Sequence, residues 1–207
     1  MSKIVILGAG ISGHTAAAHL RRKLGKEHEV LVVSPNRNYQ WVPSNIWVGI
    51  GRMKSKQLIF PLEPLYKRKG IGYKQAKVVS FHPEGNKSEE KPFVTVEYVY
   101  GINQGMKENV TYDYLINATG PKLAFELTEG LVPGTNKAFS VCTYDHAEHA
   151  WAGLKELISK LKTSDKKAKI LIGTGHAKAT CQGAAFEYIL NVEKELVNHG
   201  VRDKAEI

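Results

Sequence analysis

With 207 residues, 43% of them hydrophobic, the chain can bury the core of one large domain or two small ones. No window holds the roughly 18 apolar residues in a row that a membrane span needs, and the first residues open a strand where a charged and then apolar leader would stand, so the chain reads as soluble and cytoplasmic. Lys and Arg number 29 against 20 acids, a formal charge of +9. The excess sits in short clusters, Arg21-Arg22-Lys23, Lys67-Arg68-Lys69 and Lys166-Lys167, without a recognisable nucleic-acid module, and reads as solvated surface with no nucleic acid as partner.

In chain order, Lys3 to Leu7 is an apolar run that meets a glycine turn, Ile11 to Leu24 has helical periodicity, and Glu29 to Val33 is a second apolar run. Together they predict a βαβ unit. Pro35 to Met53 predicts an irregular loop in which Val42-Pro43-Ser44-Asn45 stands between aromatics, the kind of segment that touches ligands. A short helix is predicted near Leu58 to Lys69, then strands over Gly72 to Phe81 and Phe93 to Val99 around the polar turn Pro83 to Pro92. Thr111 to Ala118 predicts a strand that stops at Thr119-Gly120-Pro121, and Thr143 to Lys162 a helix. Lys169 to Ile172 predicts a strand running into Gly173-Thr174-Gly175, Lys178 to His199 a helix, and Ala205-Glu206-Ile207 the start of another strand.

The predicted fold is α/β: a Rossmann-like dinucleotide-binding domain over 1–125 with an antiparallel meander inserted at about 72–112, then over 126–207 a linker and the start of a second Rossmann-like domain. One βα step without its return strand does not close a parallel sheet, so the chain reads as cut short.

Gly8-Ala9-Gly10-Ile11-Ser12-Gly13 lies between a predicted strand and a predicted helix, the context that gives Gly-x-Gly-x-x-Gly its meaning. Gly8 permits a tight turn, Gly10 lets backbone approach a pyrophosphate, Gly13 lets the helix pack closely, and the helix N-terminus favours the phosphates. The fingerprint expects an acid some 20 residues on for the ribose hydroxyls, whereas the second strand ends in Ser34, whose hydroxyl still hydrogen-bonds a ribose with less pull. The later Gly173-Thr174-Gly175-His176-Ala177-Lys178 lacks a third glycine in place and reads as a degraded nucleotide turn, which argues against NADH as a substrate.

The two cysteines, Cys142 and Cys181, are too few for a disulfide scaffold or a thiolate zinc site, which leaves chemistry or plain packing. Cys181 falls in the first turn of the predicted last helix with His176 and Lys178 nearby, a setting that favours a thiolate nucleophile over a buried, inert cysteine. Cys142 precedes a helix that Thr143 or Asp145 caps. His146 follows Cys142 by four residues and reads as readily as a satisfied structural histidine as a functional one. A metal held by Cys142, His146 and His149 is disfavoured for want of a fourth ligand, and no metal is expected.

Tyr39-Gln40-Trp41-Val42-Pro43-Ser44-Asn45 with Trp47-Val48-Gly49, Tyr112-Asp113-Tyr114-Leu115-Ile116-Asn117-Ala118-Thr119-Gly120-Pro121-Lys122-Leu123-Ala124-Phe125, Ser140-Val141-Cys142-Thr143-Tyr144-Asp145-His146-Ala147 and Thr180-Cys181-Gln182-Gly183 together resemble sulfide:quinone oxidoreductase over nearly the whole chain. The resemblance implies FAD as cofactor, held by Gly8 to Gly13, Ser34, Pro35, Val42, Lys77, Val78, Thr119 and Gly120; Ser also stands for the ribose-binding acid in that family. It implies that Cys181 belongs to a cysteine pair receiving sulfide sulfur, that Cys142 lies near the flavin, that His146 moves protons, and that electrons pass to a quinone in the membrane. Hydrosulfide is an anion that the positive charge would attract. A third cysteine and a C-terminal region holding quinone and the membrane periphery are expected beyond Ile207, with a homo-oligomer in the full-length protein, so this chain alone is expected to be a poor enzyme that binds FAD weakly or not at all. Two other readings stay open: the flavin subunit of a flavocytochrome c sulfide dehydrogenase, disfavoured by the absent leader, and a non-catalytic flavin-binding redox sensor.

Overall fold

The structure is a computed structural model and describes residues 1–135, 137–176, 178–179 and 181–207. Its elements run β1 (Lys3–Leu7), α1 (Ile11–Lys23), β2 (Glu29–Ser34), β3 (Asn38–Gln40), a 3-10 turn (Val42–Ser44), α2 (Asn45–Val48), a 3-10 turn (Ser55–Gln57), β4 (Ile59–Pro61), α3 (Leu62–Lys69), β5 (Gly72–His82), β6 (Phe93–Tyr98), β7 (Lys107–Thr111), β8 (Tyr114–Asn117), a 3-10 turn (Phe125–Leu127), α4 (Tyr144–Thr163), β9 (Ala168–Lys169), α5 (Gln182–Asn198), a 3-10 turn (Arg202–Lys204) and β10 (Ala205–Glu206). They gather into two compact units, Met1–Gln40 with Ile59–Lys122, and Trp41–Leu58 with Leu123–Ile207.

The first unit is built on a six-stranded sheet in the order β7-β6-β5-β2-β1-β8. Its β5-β2-β1-β8 part is parallel, and β5-β6-β7 is the antiparallel meander. The apolar runs of β1 and β2 are continuous because both faces are covered. Ile4, Ile6, Val30 and Val32 pack under α1 and α3 against Ala17, Leu62 and Tyr66, while Val5, Leu7, Leu31 and Val33 pack on the other face with Val94, Val96 and Val110. Alanine at position 17 lets α1 lie close to the sheet, and Leu20 and Leu24 extend the same stripe.

In the second unit α4 and α5 share a core of Leu154, Ile158, Leu161, Val192 and Leu196 with Ile50 of the preceding loop. Glu195 is buried at 4% exposure and receives the Arg52 guanidinium at 2.7 Å from Nε. β9 and β10 pair in parallel, Ala168 with Ala205 and Lys169 with Glu206. Among the described residues no helix is long and apolar enough to cross a membrane.

The α/β class, the βαβ start and the meander match what the sequence predicts. Four segments differ. The helix expected over Leu58 to Lys69 starts only at Leu62, because Ile59–Pro61 pairs antiparallel with Asn38–Gln40; Pro61 and Pro64 suit a helix start, where a missing N–H costs nothing, and not its interior. That pairing also puts a strand, a 3-10 turn and α2 into the expected irregular loop. The expected strand Thr111 to Ala118 is two strands, since the chain changes neighbours at Tyr112 and Asp113: the Tyr112 N–H donates to Pro92 O, and the Asp113 N–H to Lys3 O. The strand expected to Ile172 ends at Lys169, with Ile170 N–H donating to Glu206 O, and the last helix begins at Gln182, four residues later than expected.

His14 is half-buried at the edge of the first core. Its Nδ1 is hydrogen-bonded to the Tyr66 hydroxyl at 3.2 Å, and the Tyr39 ring lies tilted against it at 4.9 Å between centroids. Burial, and secondly the Lys69 ammonium, hold its pKa below the ordinary 6.5. The folded state therefore keeps His14 neutral while the unfolded chain takes up a proton near that value. The linked stability is complete above pH 6.5 and is lost as pH falls through the lower folded value. Thermal unfolding followed across this range is expected to fall less steeply in His14→Gln than in the parent, and equal slopes would assign the acid sensitivity to other groups.

Candidate functional site

The glycine turn is shaped by one close approach. Gly8 follows β1 with φ +97°, a conformation that side chains resist, and its N–H donates to Val33 O at 2.8 Å. A Cβ there would stand 2.2 Å from Ala118 O. Gly13, in the first turn of α1, would place a Cβ 2.1 Å from Gly8 O. These contacts press the start of α1, the end of β1 and the segment after β8 together, and Ala118 N–H closes the group by donating to Leu7 O at 2.8 Å. Ala9 is buried at 5%.

Gly10 differs from both neighbours. Its φ of −71° suits any residue, and a Cβ on it would meet nothing within 4 Å. It is the N-cap of α1, has no side-chain cap, and no acid stands in the first turn. Ile11 and Ser12 continue the helix start as exposed residues. The N–H end of α1 thus faces open space with no carboxylate competing for it, which suits a pyrophosphate.

Around this turn, Ser34 ends β2, is 1% exposed, and accepts the Asn36 N–H on Oγ at 3.3 Å. Pro35 follows, its carbonyl accepting from Gln75 Nε2 at 3.3 Å. The β2 ladder of β5 stops at Gln75, so Lys77 and Val78 stand just past it on the same strand; Lys77 is paired with Glu97 at 2.9 Å. Thr119 and Gly120 follow β8. The Thr119 N–H and hydroxyl both donate to Asn117 Oδ1, at 3.2 and 2.8 Å, and Gly120 has φ +71°. The geometry brings the turn, Ser34, Thr119 and Gly120 to the carboxyl ends of neighbouring parallel strands, where open α/β sheets bind ligands. Ala118 and Asn117 shape the site as much as the residues named from the sequence; the Asn-Ala-Thr-Gly run holds them, but only folding shows that the Ala118 carbonyl is the wall against Gly8.

The remaining candidates lie in the second unit. Val42 opens a 3-10 turn and is 45% exposed. Cys142 and Cys181 are both free and exposed. The Cys142 N–H donates to Ser140 Oγ at 3.1 Å, two residues before α4. Thr143 is the N-cap of α4 by backbone but makes no side-chain cap bond to it. Asp145 sits in the first turn, its carboxyl held below its ordinary pKa mainly by the Thr143 hydroxyl and then by the N–H groups of Asp145 and His146. His146 meets Phe125 edge-on at 5.3 Å, and its Nδ1 is buried with no hydrogen-bond partner among the described residues. Among the described residues no three His, Cys, Asp or Glu side chains gather as metal ligands.

Cys181 is the N-cap of α5 and not part of its first turn, because the helix starts four residues later than expected; no acid occupies that turn. The second glycine run is held differently from the first. Thr128 Oγ1 donates to Gly175 O at 2.9 Å, a Cβ on Gly175 would meet Leu131 Cδ1 at 2.1 Å, and among the described residues no helix follows before Gln182. Ala177 of this run and Thr180 beside Cys181 lie outside the described residues. A turn detached from its helix offers no N-terminus to a pyrophosphate.

A sequence profile of the pyridine nucleotide-disulphide oxidoreductase family matches residues 2–186. The chain belongs to that family. It is 28% identical over 201 residues, 97% of its length, to a sulfide-quinone reductase of Aquifex aeolicus. It is 27% identical over its full length to a mitochondrial sulfide:quinone oxidoreductase of Dictyostelium discoideum. The solved sulfide:quinone oxidoreductase of Aquifex aeolicus superposes with a TM-score of 0.74 over 99% of this chain at 26% identity. The chain spans 41% of the length of both curated relatives and 42% of that solved chain. The resemblance read from the motifs is borne out, and so, for the family, is FAD as cofactor.

The two glycines make separate predictions. Gly8→Ala is expected to cost about 3 kcal/mol of stability, from positive φ and backbone collision together, whereas Gly10→Ala stays within about 1 kcal/mol of the parent and weakens flavin retention instead. Urea unfolding and flavin absorbance read the two effects, and equal stability losses would contradict the geometry.

Proposed function

We propose that this chain forms part of a flavin-dependent sulfide:quinone oxidoreductase, in which sulfide is oxidised through cysteine with quinone as acceptor. The net reaction balances as HS⁻, quinone and one proton giving sulfur at the zero-valent level and quinol. The observation that carries the reading is Cys181, a free, exposed thiol at the N-cap of α5, in a turn with no acid, next to a glycine run that has lost its helix. The family and the two curated relatives named for sulfide and quinone support it.

FAD, when bound, supplies a two-electron acceptor that passes electrons on to the quinone. The chain's own residues do the rest. Gly8 to Gly13 leave room for the pyrophosphate, Ser34 and Pro35 border the ribose, Lys77 and Val78 present strand backbone beyond the β2 ladder, and Thr119 and Gly120 border the same space; Val42 is a further residue that the resemblance assigns to FAD. Cys181, at the N-cap of α5, would carry the sulfur: hydrosulfide opens a disulfide between Cys181 and a second cysteine, leaving a persulfide on one and a thiol on the other, and reclosure of the pair releases zero-valent sulfur, its two electrons passing to FAD. Cys142 stands beside a second helix start and serves as a further thiol. His146, with an unpaired buried nitrogen, carries the proton. The +9 charge draws hydrosulfide in. Quinone is met at a bilayer, which puts the protein at the membrane periphery.

Sulfide-dependent reduction of decylubiquinone by the FAD-loaded protein carrying this chain is the test. Cys181→Ala is expected to lower turnover by at least ~1,000-fold, as loss of a nucleophile does, while the flavin spectrum stays unchanged. Retained turnover would move the chemistry to another group, and flavin binding without turnover in the parent would mark a redox sensor.

A further inference from the structure

One buried acid–base pair has no part in the chemistry described so far. Tyr66 of α3 is fully buried at 0% exposure, and its hydroxyl is hydrogen-bonded to Nδ1 of His14 on α1 at 3.2 Å. No other hydrogen-bond partner stands at that hydroxyl among the described residues. Aromatic rings enclose the pair: Tyr39 and Phe60 lie 4.9 and 5.8 Å from the His14 ring, and Tyr39 stacks on Phe60 at 4.7 Å. Packing accounts for those rings, since each contributes apolar area to the core. It does not account for an imidazole among them. A backbone carbonyl or an amide satisfies a buried phenol by accepting its hydrogen bond; an imidazole does that and can also take the proton.

The surroundings keep the pair ready for that transfer. Lys69 is the cation that faces His14, Tyr39 and Tyr73 are the phenols that face Tyr66, and Glu63 faces Tyr73. Burial and the Lys69 ammonium hold the imidazole neutral, so that with its hydrogen on Nε2 it accepts the Tyr66 O–H at Nδ1. Loss of one electron turns a phenol into a strong acid, which gives up its proton to any base within hydrogen-bond reach, and 3.2 Å is within it. The pair also has an outlet. The half-buried Tyr73 ring lies 5.8 Å from that of Tyr66, and its hydroxyl donates to Asn36 O at 2.6 Å near the surface.

We propose that Tyr66 and His14 form a proton-coupled redox pair, a sink for one-electron oxidants of the radical or high-potential metal-complex class. The oxidant takes one electron from the Tyr66 ring; the phenolic O–H bond breaks, its proton passes to His14 Nδ1, and an N–H bond forms there. A one-electron reductant such as ascorbate, meeting the cluster at Tyr73, returns the electron, and the proton goes back to the oxygen. The cycle moves one electron from reductant to oxidant and leaves both residues as they began. His14 directly follows Gly13, so the sink stands under the dinucleotide turn without contributing to it. The pair rests on the ring cluster alone, uses neither cysteine, and succeeds or fails separately from sulfide oxidation.

Oxidation of the chain with hexachloroiridate(IV), after both thiols have been alkylated with iodoacetamide, tests the pair by electron paramagnetic resonance. The parent is expected to hold a phenoxyl radical that outlives those of exposed tyrosines, because burial keeps Tyr66 from coupling with a second chain. Exchange into deuterium oxide is expected to narrow the signal, since the transferred proton stays hydrogen-bonded to the phenoxyl oxygen, and ascorbate is expected to erase it. Tyr66→Phe is expected to abolish it. His14→Gln, which accepts a hydrogen bond and takes no proton, is expected to do the same. Tyr112→Phe removes a buried phenol that stacks on Phe81 in the other core with no imidazole beside it among the described residues, and is expected to leave the signal unchanged. A circular-dichroism spectrum confirms that each variant is folded. A hydrogen bond of structural value only predicts no lasting radical. Its absence from the parent, an unchanged signal in Tyr66→Phe or His14→Gln, equal loss in Tyr112→Phe, survival in ascorbate, or indifference to deuterium oxide would each overturn the proposal.

Discussion

The first unit depends on the absence of two methyl groups. Gly8 and Gly13 let the end of β1, the start of α1 and the Ala118 carbonyl crowd into a space in which a Cβ would lie little more than 2 Å from a backbone oxygen. That crowding aligns the end of β1, the N-terminus of α1 and the turn after β8, and so creates the open floor above Gly10. Remove the approach and the parallel pairing of β1 with β8 loses its anchor at Leu7 and Ala118. Binding chemistry and sheet integrity share one constraint, which is why a small, apolar turn carries so much of the fold.

The second unit places its two cysteines at helix starts. Cys181 caps α5, and Cys142 lies two residues before α4. A helix start supplies unpaired N–H groups and a positive potential to any anion, whether phosphate or thiolate, so the same physical device recurs with different occupants. The second glycine run breaks the recurrence. Anchored by Thr128 and Leu131 and separated from α5, it has become a structural loop, and the helix start that it would have presented to a nucleotide is taken by a cysteine.

Charge follows a related logic. The net +9 is a global property that draws anions without selecting among them. Cations stand together without acids at the ends of α1 and α3, whereas on the meander Lys74 pairs with Glu108 and Lys77 with Glu97. The acidic partners, more than the number of lysines, decide which basic surface is available.

Local pattern carried much of the molecule. The apolar runs of β1 and β2, the glycine spacing, the stripe of α1 and the alternation of the meander are each written within a dozen residues, because strand and helix periodicities are short. FAD and the family were legible for the same reason, through contiguous motifs. What the sequence left undecided always joined distant segments. β3 pairs with β4 and displaces the start of α3; Tyr112 and Asp113 exchange one neighbouring strand for another; the Ala118 carbonyl closes on Gly8. None of these pairings has a local signature, since each is chosen by packing a whole sheet at once, and only the tertiary structure decides them.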